Sequence, residues 1–191
     1  MGDFIVDSDD NPLLVGRQYE DTTDERVIFY SRESDGEWVA ETVYSSTTIS
    51  SKIALALGPA GKPHVFFYDF DDEAYHYYHK TSDDSWEELV TFNEAFPLWS
   101  ANDAFVDTDG YSHLLYFGKS LNFDGTVGLL YATNASGEWK SRNVDMDTNI
   151  WSASLWEIAP NVFRAAYHRD DAVTEGRGTF MAEFVGGSDM P

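Results

Sequence analysis

Paired aromatic residues recur along this chain at one spacing and in one phase. Three times a tyrosine is followed eight residues later by a tryptophan, across a polar spacer: Tyr30 and Trp38, Tyr78 and Trp86, Tyr131 and Trp139. Each tryptophan opens a short run that ends in valine, a pattern typical of a strand, a tight turn and another strand. Self-similarity at a period of about fifty residues predicts a repeat architecture. We expect the three tryptophans to be packing residues.

Two further landmarks keep the same phase. An apolar strand, a polar turn and a second apolar strand recur, with matching positions 51, 49 and 50 residues apart: Pro12, Pro63, Ser112 and Val162. The start of a unit recurs as the triplets ISS, LWS and IWS, at residues 49–51, 98–100 and 150–152. These landmarks divide the chain into four repeats, at about residues 1–47, 48–96, 97–148 and 149–191.

Each repeat holds four strands, named a to d in chain order, except that the last repeat ends after strand c. Strand b is apolar on both faces, as in residues 65–68 (VFFY) and 114–117 (LLYF). Such a strand must be covered on both sides, which stacking of similar antiparallel sheets achieves. The sequence predicts a single all-β domain, a β-propeller-like array of four antiparallel four-stranded blades with the last incomplete. A half-ring, a fragment of a larger ring and a small closed propeller all fit this pattern.

The second repeat carries a familiar blade pattern. The run IALALGPAGKPHVFFYD, followed by a tyrosine-bearing strand, a tryptophan and a closing valine, resembles the blade repeats of bacterial sialidase-like and lectin-like β-propellers. The resemblance implies a fold and leaves function open, because such propellers include hydrolases, lectins and scaffolds. The Asp-box of sialidases, Ser-x-Asp-x-Gly-x-Thr-Trp, does not occur; SDGEW and ASGEW share only its turn character.

The charge of the chain narrows the classes of partner. Thirty-four acids against twelve bases give a formal net charge of −22, which repels phosphate backbones and argues against nucleic acid. The absence of cysteine excludes disulfides and thiolate metal sites. No apolar run approaches the length of a membrane span, so membrane insertion is not expected. Residues 7–11 (DSDDN) and 107–110 (DTDG) fit turns better than calcium loops. We expect neither cofactor nor metal; calcium is the disfavoured alternative.

The predicted topology places the b–c loops and the d–a connections on one face. Three of the four b–c loops are acidic, and the d–a connections carry aromatic residues. Aromatic planes beside carboxylates suit carbohydrate, or a cationic ligand through cation–π attraction. The predicted ligand-binding residues are these: Tyr19, Asp69, Phe70, Asp71, Trp99, Trp151, His168 and Asp170.

Three functions fit the sequence. The leading hypothesis is a non-catalytic, lectin-like binding module for a glycan or another small or polymeric ligand. The alternatives are a sialidase-like or other glycoside hydrolase fragment and a structural assembly domain. No catalytic residue set is predicted, and His64 and His113 share one repeat position, which indicates a structural role. We expect an extracellular or cell-envelope protein, although the first residues lack signal-peptide features, and a homodimer formed through open blade edges.

Overall fold

The computed structural model describes residues 2–20, 25–34, 36–71, 73–81, 85–92, 103–119, 127–146, 150–171 and 176–186. These residues form strands and turns, and they include no helix that could cross a bilayer. The strands are β1 (Asp3–Val6), β2 (Pro12–Glu20), β3 (Glu25–Ser34), β4 (Glu37–Ser46), β5 (Ile49–Leu57), β6 (Pro63–Asp69), β7 (Ala74–Lys80), β8 (Trp86–Phe92), β9 (Asp103–Val106), β10 (Ser112–Lys119), β11 (Val127–Thr133), β12 (Lys140–Asp145), β13 (Ile150–Ala159), β14 (Val162–Asp171) and β15 (Gly176–Val185).

The strands pair in chain order into four antiparallel sheets. Sheet 1 is β1–β4, sheet 2 is β5–β8, sheet 3 is β9–β12 and sheet 4 is β13–β15. The protein is an all-β, β-propeller-like array whose last blade has three strands within the described residues. The chain divides into two compact units of two sheets each, unit 1 (Met1–Asn93) and unit 2 (Glu94–Pro191).

Each unit has its own hydrophobic core between its two sheets. The core of unit 1 takes the same alternating face of each strand, and its buried members are Leu13, Val15, Ile28, Tyr30, Val43, Ile49, Ile53, Leu55, Val65 and Phe67. The core of unit 2 is built in the same way from Leu115, Phe117, Val127, Leu129, Tyr131, Ile150, Leu155, Phe163, Ala165, Tyr167 and Phe184. All seven residues of β6 are buried, so this b strand is covered on both faces, as its composition predicts.

A carboxylate links the two sheets of each unit. Asp3 Oδ2, on β1, accepts a hydrogen bond from the Leu55 amide at 2.9 Å. Asp103 Oδ2, on β9, accepts one from the Leu155 amide at 2.7 Å. Both acids begin a short strand a, and both amides lie in the middle of the next strand a. The two links are 100 residues apart in the chain (103 − 3 and 155 − 55), so the array also repeats in pairs of sheets.

Strand register corrects one step of the sequence repeat. Leu55 pairs with Val65 and Leu155 pairs with Ala165, which makes Pro63 equivalent to Phe163 rather than to Val162. The a–b turn of sheet 4 is shorter, and a bulge between Glu157 and Ala159 shifts the register. A shift of one residue exchanges the faces of a strand, which is why Phe163 lies in the core.

The repeated aromatic residues are only partly core residues. Tyr30, Tyr77 and Tyr131 occupy equivalent positions opposite strand b, so the match in the second repeat is Tyr77 and not Tyr78. Trp86 packs edge-on against Tyr30, with ring centroids 5.5 Å apart. The packing prediction is wrong for Trp38, whose side chain is 53% exposed near the start of β4. Trp139 is half-buried.

Candidate functional site

The b–c turn of sheet 2 is held by a buried carboxylate. Asp69 is 1% exposed; its Oδ1 accepts from the Thr48 hydroxyl at 2.7 Å and from the Asp71 amide at 3.0 Å, and its Oδ2 accepts from the Tyr44 hydroxyl at 3.0 Å. Burial acts to raise the pKa of Asp69, but hydrogen bonds from Ser46, Thr48, Asp71 and Tyr44 outweigh it and hold the pKa below its ordinary value. Asp69 is therefore ionised, and it positions the loop.

This geometry gives Asp69, one of the predicted ligand residues, a positioning role. The Asp69 carboxylate is directed into the protein and is engaged by hydroxyl and amide donors. Direct contact with a ligand would require those bonds to break, which is costly for a buried charge. Its role is to position the two residues that follow it.

Phe70 and Asp71 extend from this anchored turn to the surface. The Phe70 ring is 42% exposed and packs edge-on against Tyr68, with centroids 5.2 Å apart. Asp71 is exposed, and its Oδ2 accepts from the Thr47 hydroxyl at 2.9 Å. The Phe70 amide donates to the Thr48 carbonyl at 3.2 Å. An aromatic ring and a carboxylate, on consecutive residues, are thus exposed at a hydrogen-bonded turn.

Strand β2 reaches the same end of unit 1. Tyr19 is exposed near the end of this strand, and Arg17 Nη1 donates to the Ile49 carbonyl at 2.7 Å. Ile49 also pairs with Asp69 across sheet 2. The predicted residues Tyr19, Phe70 and Asp71 therefore lie at the b–c ends of two sheets of one unit.

In unit 2 the predicted residues are less completely described. His168 is half-buried on β14, on the face that alternates with the core residue Tyr167. Its neighbour Arg169 donates to Asp145 Oδ2 at 2.6 Å and lies over the Phe180 ring, 4.0 Å from its centroid. The backbone positions of Trp151 and Asp170 lie in β13 and β14, but their side chains are outside the description, as is the whole of Trp99.

A cleft that the sequence analysis missed lies at the opposite end of unit 2. It has a volume of about 360 Å³ and is lined by the a–b turns of sheets 3 and 4: Asp107, Thr108, Asp109, Glu157, Ile158, Ala159, Pro160 and Asn161. The Asp-rich motif at 107–110 is a turn, as predicted, with Asp107 Oδ1 accepting from the Asp109 and Tyr111 amides. Its spacing alone gave no sign that a second turn lies beside it.

A buried relay lies beneath that cleft. His113 is fully buried; Tyr131 Oη lies 2.6 Å from its Nδ1, and Asp107 Oδ2 lies 3.2 Å from its Nε2. Because a carboxylate can only accept, Nε2 carries the proton and Nδ1 accepts from the tyrosine. Burial lowers the pKa of His113, although Asp107 and Glu157 oppose the shift. Burial also raises the pKa of Tyr131. All three groups are satisfied internally, so the relay is structural.

The equivalent histidine of unit 1 lacks the carboxylate. His64 Nδ1 lies 2.5 Å from Tyr77 Oη, and the imidazole fills the space beside Gly58, where an added Cβ would meet Nε2 at 2.7 Å. Burial, together with His79, lowers the pKa of His64 to about 4. Both histidine side chains are therefore buried and have a packing role. In the part of the chain that is described, no group of three or more histidine, aspartate or glutamate side chains could hold a metal ion.

Comparison with known proteins gives a fold and no family. No family model and no curated protein matches the sequence. A Hadza microbial sialidase has a TM-score of 0.63 at 14% identity, over 95% of this chain and 36% of that one. A fucose lectin from Kordia zhangzhouensis, in complex with methyl-fucoside, has a TM-score of 0.50 at 15% identity, over 74% of this chain and 97% of that one. The β-propeller domain of the Trilobed protease from Pyrococcus furiosus has a TM-score of 0.53 at 6% identity, over 97% of this chain and 55% of that one.

Likeness at such low identity establishes the propeller-like fold alone. The chain also covers only part of the similar structures, namely 51%, 36% and 46% of three of them. The sialidase, the lectin and a Bombyx mori β-fructofuranosidase are carbohydrate-related by name.

Proposed function

We propose that this protein is a non-catalytic, lectin-like module that binds glycans at the b–c end of unit 1. The observation that carries the proposal is the turn at residues 69–71, where the buried Asp69 carboxylate holds an exposed ring and an exposed carboxylate in place. Aromatic rings stack on the apolar faces of sugars, and carboxylates accept hydrogen bonds from their hydroxyls. Phe70 would supply the platform and Asp71 the acceptor.

Because this turn is already anchored in the free protein, binding a ligand there costs little further ordering of side chains. Ordering a loop on binding costs about 0.5–1.5 kcal/mol for each side chain that is immobilised. Here the hydroxyls of Thr47 and Thr48 and the amide of Asp71 are already bonded in the free protein. Less ordering remains to be done when a ligand arrives. Tyr19, also exposed in unit 1, is a second surface for stacking, and Trp99, Trp151, His168 and Asp170 remain predicted contacts.

A binding role also agrees with the ionisation of the site. The hydrogen bonds that lower the pKa of Asp69 keep it a carboxylate at neutral pH. A glycosidase needs, in addition, a carboxylic acid whose pKa is raised so that it can protonate the leaving group. An ionised, internally bonded carboxylate suits positioning and not acid catalysis. We further propose an extracellular or cell-envelope location, where glycans are exposed.

A glycan array tests the proposal with three forms of the protein. The wild type should bind neutral oligosaccharides; Phe70→Ala should reduce that signal at least fivefold, whereas Tyr111→Ala, an exposed aromatic at the a–b turn of sheet 3, should not. A Trp99→Ala, Trp151→Ala double variant tests the remaining predicted platform. Unchanged binding by Phe70→Ala would exclude this turn as the site, and turnover of chromogenic glycosides would favour the hydrolase alternative.

A further inference from the structure

The charge around Phe70 and Asp71 restricts the glycan that this site can accept. The two b–c loops of unit 1, residues 19–25 and 69–73, carry four acids each and no lysine or arginine. Asp69 and Asp71 belong to this set, and the whole chain carries −22. An anionic sugar such as a uronate or a sialic acid would be repelled from this end.

The cations of unit 1 near these loops do not reverse that sign. Arg17, on β2, is half-buried and donates to the Ile49 carbonyl, so part of its guanidinium is directed at the backbone. Lys52, on β5, is half-buried as well. With Arg26, which follows the first loop directly in the sequence, three cations stand against the eight acids of the two loops.

The aromatic ring adds a second requirement. A ring attracts a cation over its face, and it also stacks on the apolar face of a sugar. The best match to an exposed ring beside a carboxylate is a ligand that combines an apolar face, hydroxyls and a positive charge in one unit.

We infer that the ligand class of this site is an amino sugar in its ammonium form, as in a chain of glucosamine residues. The sugar ring would lie on Phe70 and the ammonium group would pair with Asp71. This inference rests on the proposed function and goes beyond it, because a lectin for neutral glycans needs no charge at this position.

Calorimetric titration tests the inference with four probes: the hexamer of β-1,4-linked glucosamine, the hexamer of N-acetylglucosamine, an alginate hexamer and tetralysine. At pH 5.5 and low salt we expect the glucosamine hexamer to bind about tenfold more tightly than its acetylated form, and alginate not to bind. The preference should shrink to less than threefold at 0.5 M NaCl, where the Debye length is about 4 Å. Tetralysine should bind at least tenfold more weakly than the glucosamine hexamer, because it lacks the sugar face.

Matched variants separate the charge from the ring. Asp71→Asn should reduce the preference for the glucosamine hexamer over the acetylated hexamer at least threefold, because the amide oxygen can still accept from sugar hydroxyls but carries no charge. Asp9→Asn, an exposed acid in the a–b turn of sheet 1, should leave the binding of both hexamers unchanged. Phe70→Ala should weaken both hexamers.

The outcomes distinguish the two proposals. If the acetylated hexamer binds through Phe70 and the glucosamine hexamer binds no more tightly, the amino-sugar inference is wrong and the glycan-binding function stands. If neither hexamer binds but another neutral oligosaccharide on the glycan array binds through Phe70, the amino-sugar inference is wrong and the glycan-binding function stands; if no glycan binds, both proposals fail. If tetralysine binds as tightly as the glucosamine hexamer, charge alone accounts for the binding, and the inference is also wrong.

Discussion

In units 1 and 2 the two sheets are linked at equivalent positions, by one bond that is the same in both units and by others whose side chains differ. The Asp3 and Asp103 links to a backbone amide are the same in both. At the b–c end of unit 1 the Tyr44 hydroxyl donates to Asp69, and at that of unit 2 Arg169 donates to Asp145. The acid therefore lies on the second sheet of unit 1 but on the first sheet of unit 2. The backbone geometry of a joint is thus kept while its side-chain partners are exchanged.

A second joint differs in polarity. Arg17 of unit 1 donates to the Ile49 carbonyl, whereas the residue 100 positions later is Phe117, buried with Ile150 in the core of unit 2. Near the a–b turns, unit 2 has the Asp107–His113–Tyr131 relay and sheet 1 of unit 1 has Leu13 in place of the histidine. Unit 1 is therefore more polar near its b–c end and unit 2 near its a–b end. The bond from a main-chain amide to an aspartate carboxylate is common to both units, whereas the other side chains around it differ.

The largest expected difference between the units concerns association. On the face of sheet 1 that is directed away from sheet 2, Phe4 and Val6 are exposed and Leu14 and Phe29 are half-buried, and the polar residues Gln18 and Thr42 lie there as well. The corresponding face of sheet 4 also exposes Trp156, Met181 and Val185, but the ion pair of Arg164 and Glu183 lies among them, and its other polar residues are Ser152, Ser154 and Thr179. An exposed apolar surface normally marks an interface.

We therefore keep the prediction of a homodimer and assign more of its interface to unit 1. Light scattering at micromolar concentration should give about twice 21.6 kDa. Phe4→Glu should return the mass to that of one chain, and Met181→Glu should not. A wild-type monomer, or equal effects of the two variants, would contradict this assignment.

The second prediction compares the two b–c joints. Asp69→Ala should destabilise the protein by about 3 kcal/mol, because it leaves the donors of Tyr44, Thr48 and Asp71 without their acceptor. Asp145→Ala should cost about 1–2 kcal/mol, because Arg169 is partly solvated and keeps its contact with the Phe180 ring. Urea unfolding of both variants measures the difference. Equal losses would mean that the exchanged joints are equivalent in energy as well as in position.

The third prediction concerns acid sensitivity. The folded-state pKa of His64 is lowered from 6.5 to about 4, so the unfolded chain binds the proton more readily. Its contribution to stability is complete above pH 6.5 and is lost as the pH falls toward 4, by about 3 kcal/mol at most. His113 should contribute less, because Asp107 and Glu157 oppose its shift.

His64→Leu, which copies the residue at the equivalent position in sheet 1, should flatten stability between pH 6.5 and 4 more than His113→Leu does. Thermal unfolding of both variants at several pH values provides the measurement. If His113→Leu flattens the curve more, Asp107 does not oppose the lowering of the His113 pKa as the geometry indicates.

The fourth prediction tests the joint that the units share. Asp3→Ala and Asp103→Ala should each cost about 1–3 kcal/mol, because each leaves a part-buried amide without its acceptor. The two losses should agree within about 0.5 kcal/mol. Asn in either position should cost less, since its Oδ1 can still accept. Differential scanning calorimetry is sufficient, and a clear inequality would show that the joint is not a common element of the two units.

The repeat was readable from sequence because its determinants are local. Turn residues and doubly apolar b strands at a period of about fifty give the blades and their order. The exposure of Trp38 was not readable, because eight-residue spacing fixes a hairpin and not which face is covered. The burial of Asp69 was equally hidden, since an acidic loop looks the same whether its carboxylates face water or hydroxyl donors. The cleft beside Asp107 depends on two turns about fifty residues apart, which no local pattern records.

The smallest expected effect concerns calcium at the Asp-rich turns, which occur in both units. Asp7 and Asp107 use Oδ1 to accept backbone amides two and four residues later, so these carboxylates already close their own turns. Hydrogen bonds from Asn11 lower the pKa of Asp7, the one from its backbone amide more than those from its side chain, and they keep Asp7 ionised. Specific binding of calcium to the native state would raise the melting temperature by mass action. We expect millimolar calcium to shift it no more than sodium chloride of matched ionic strength, which relieves the repulsion among 34 acids. A calcium-specific rise that is lost in Asp107→Asn and retained in Asp7→Asn would place a cation site in unit 2 alone and separate the two turns that otherwise look alike.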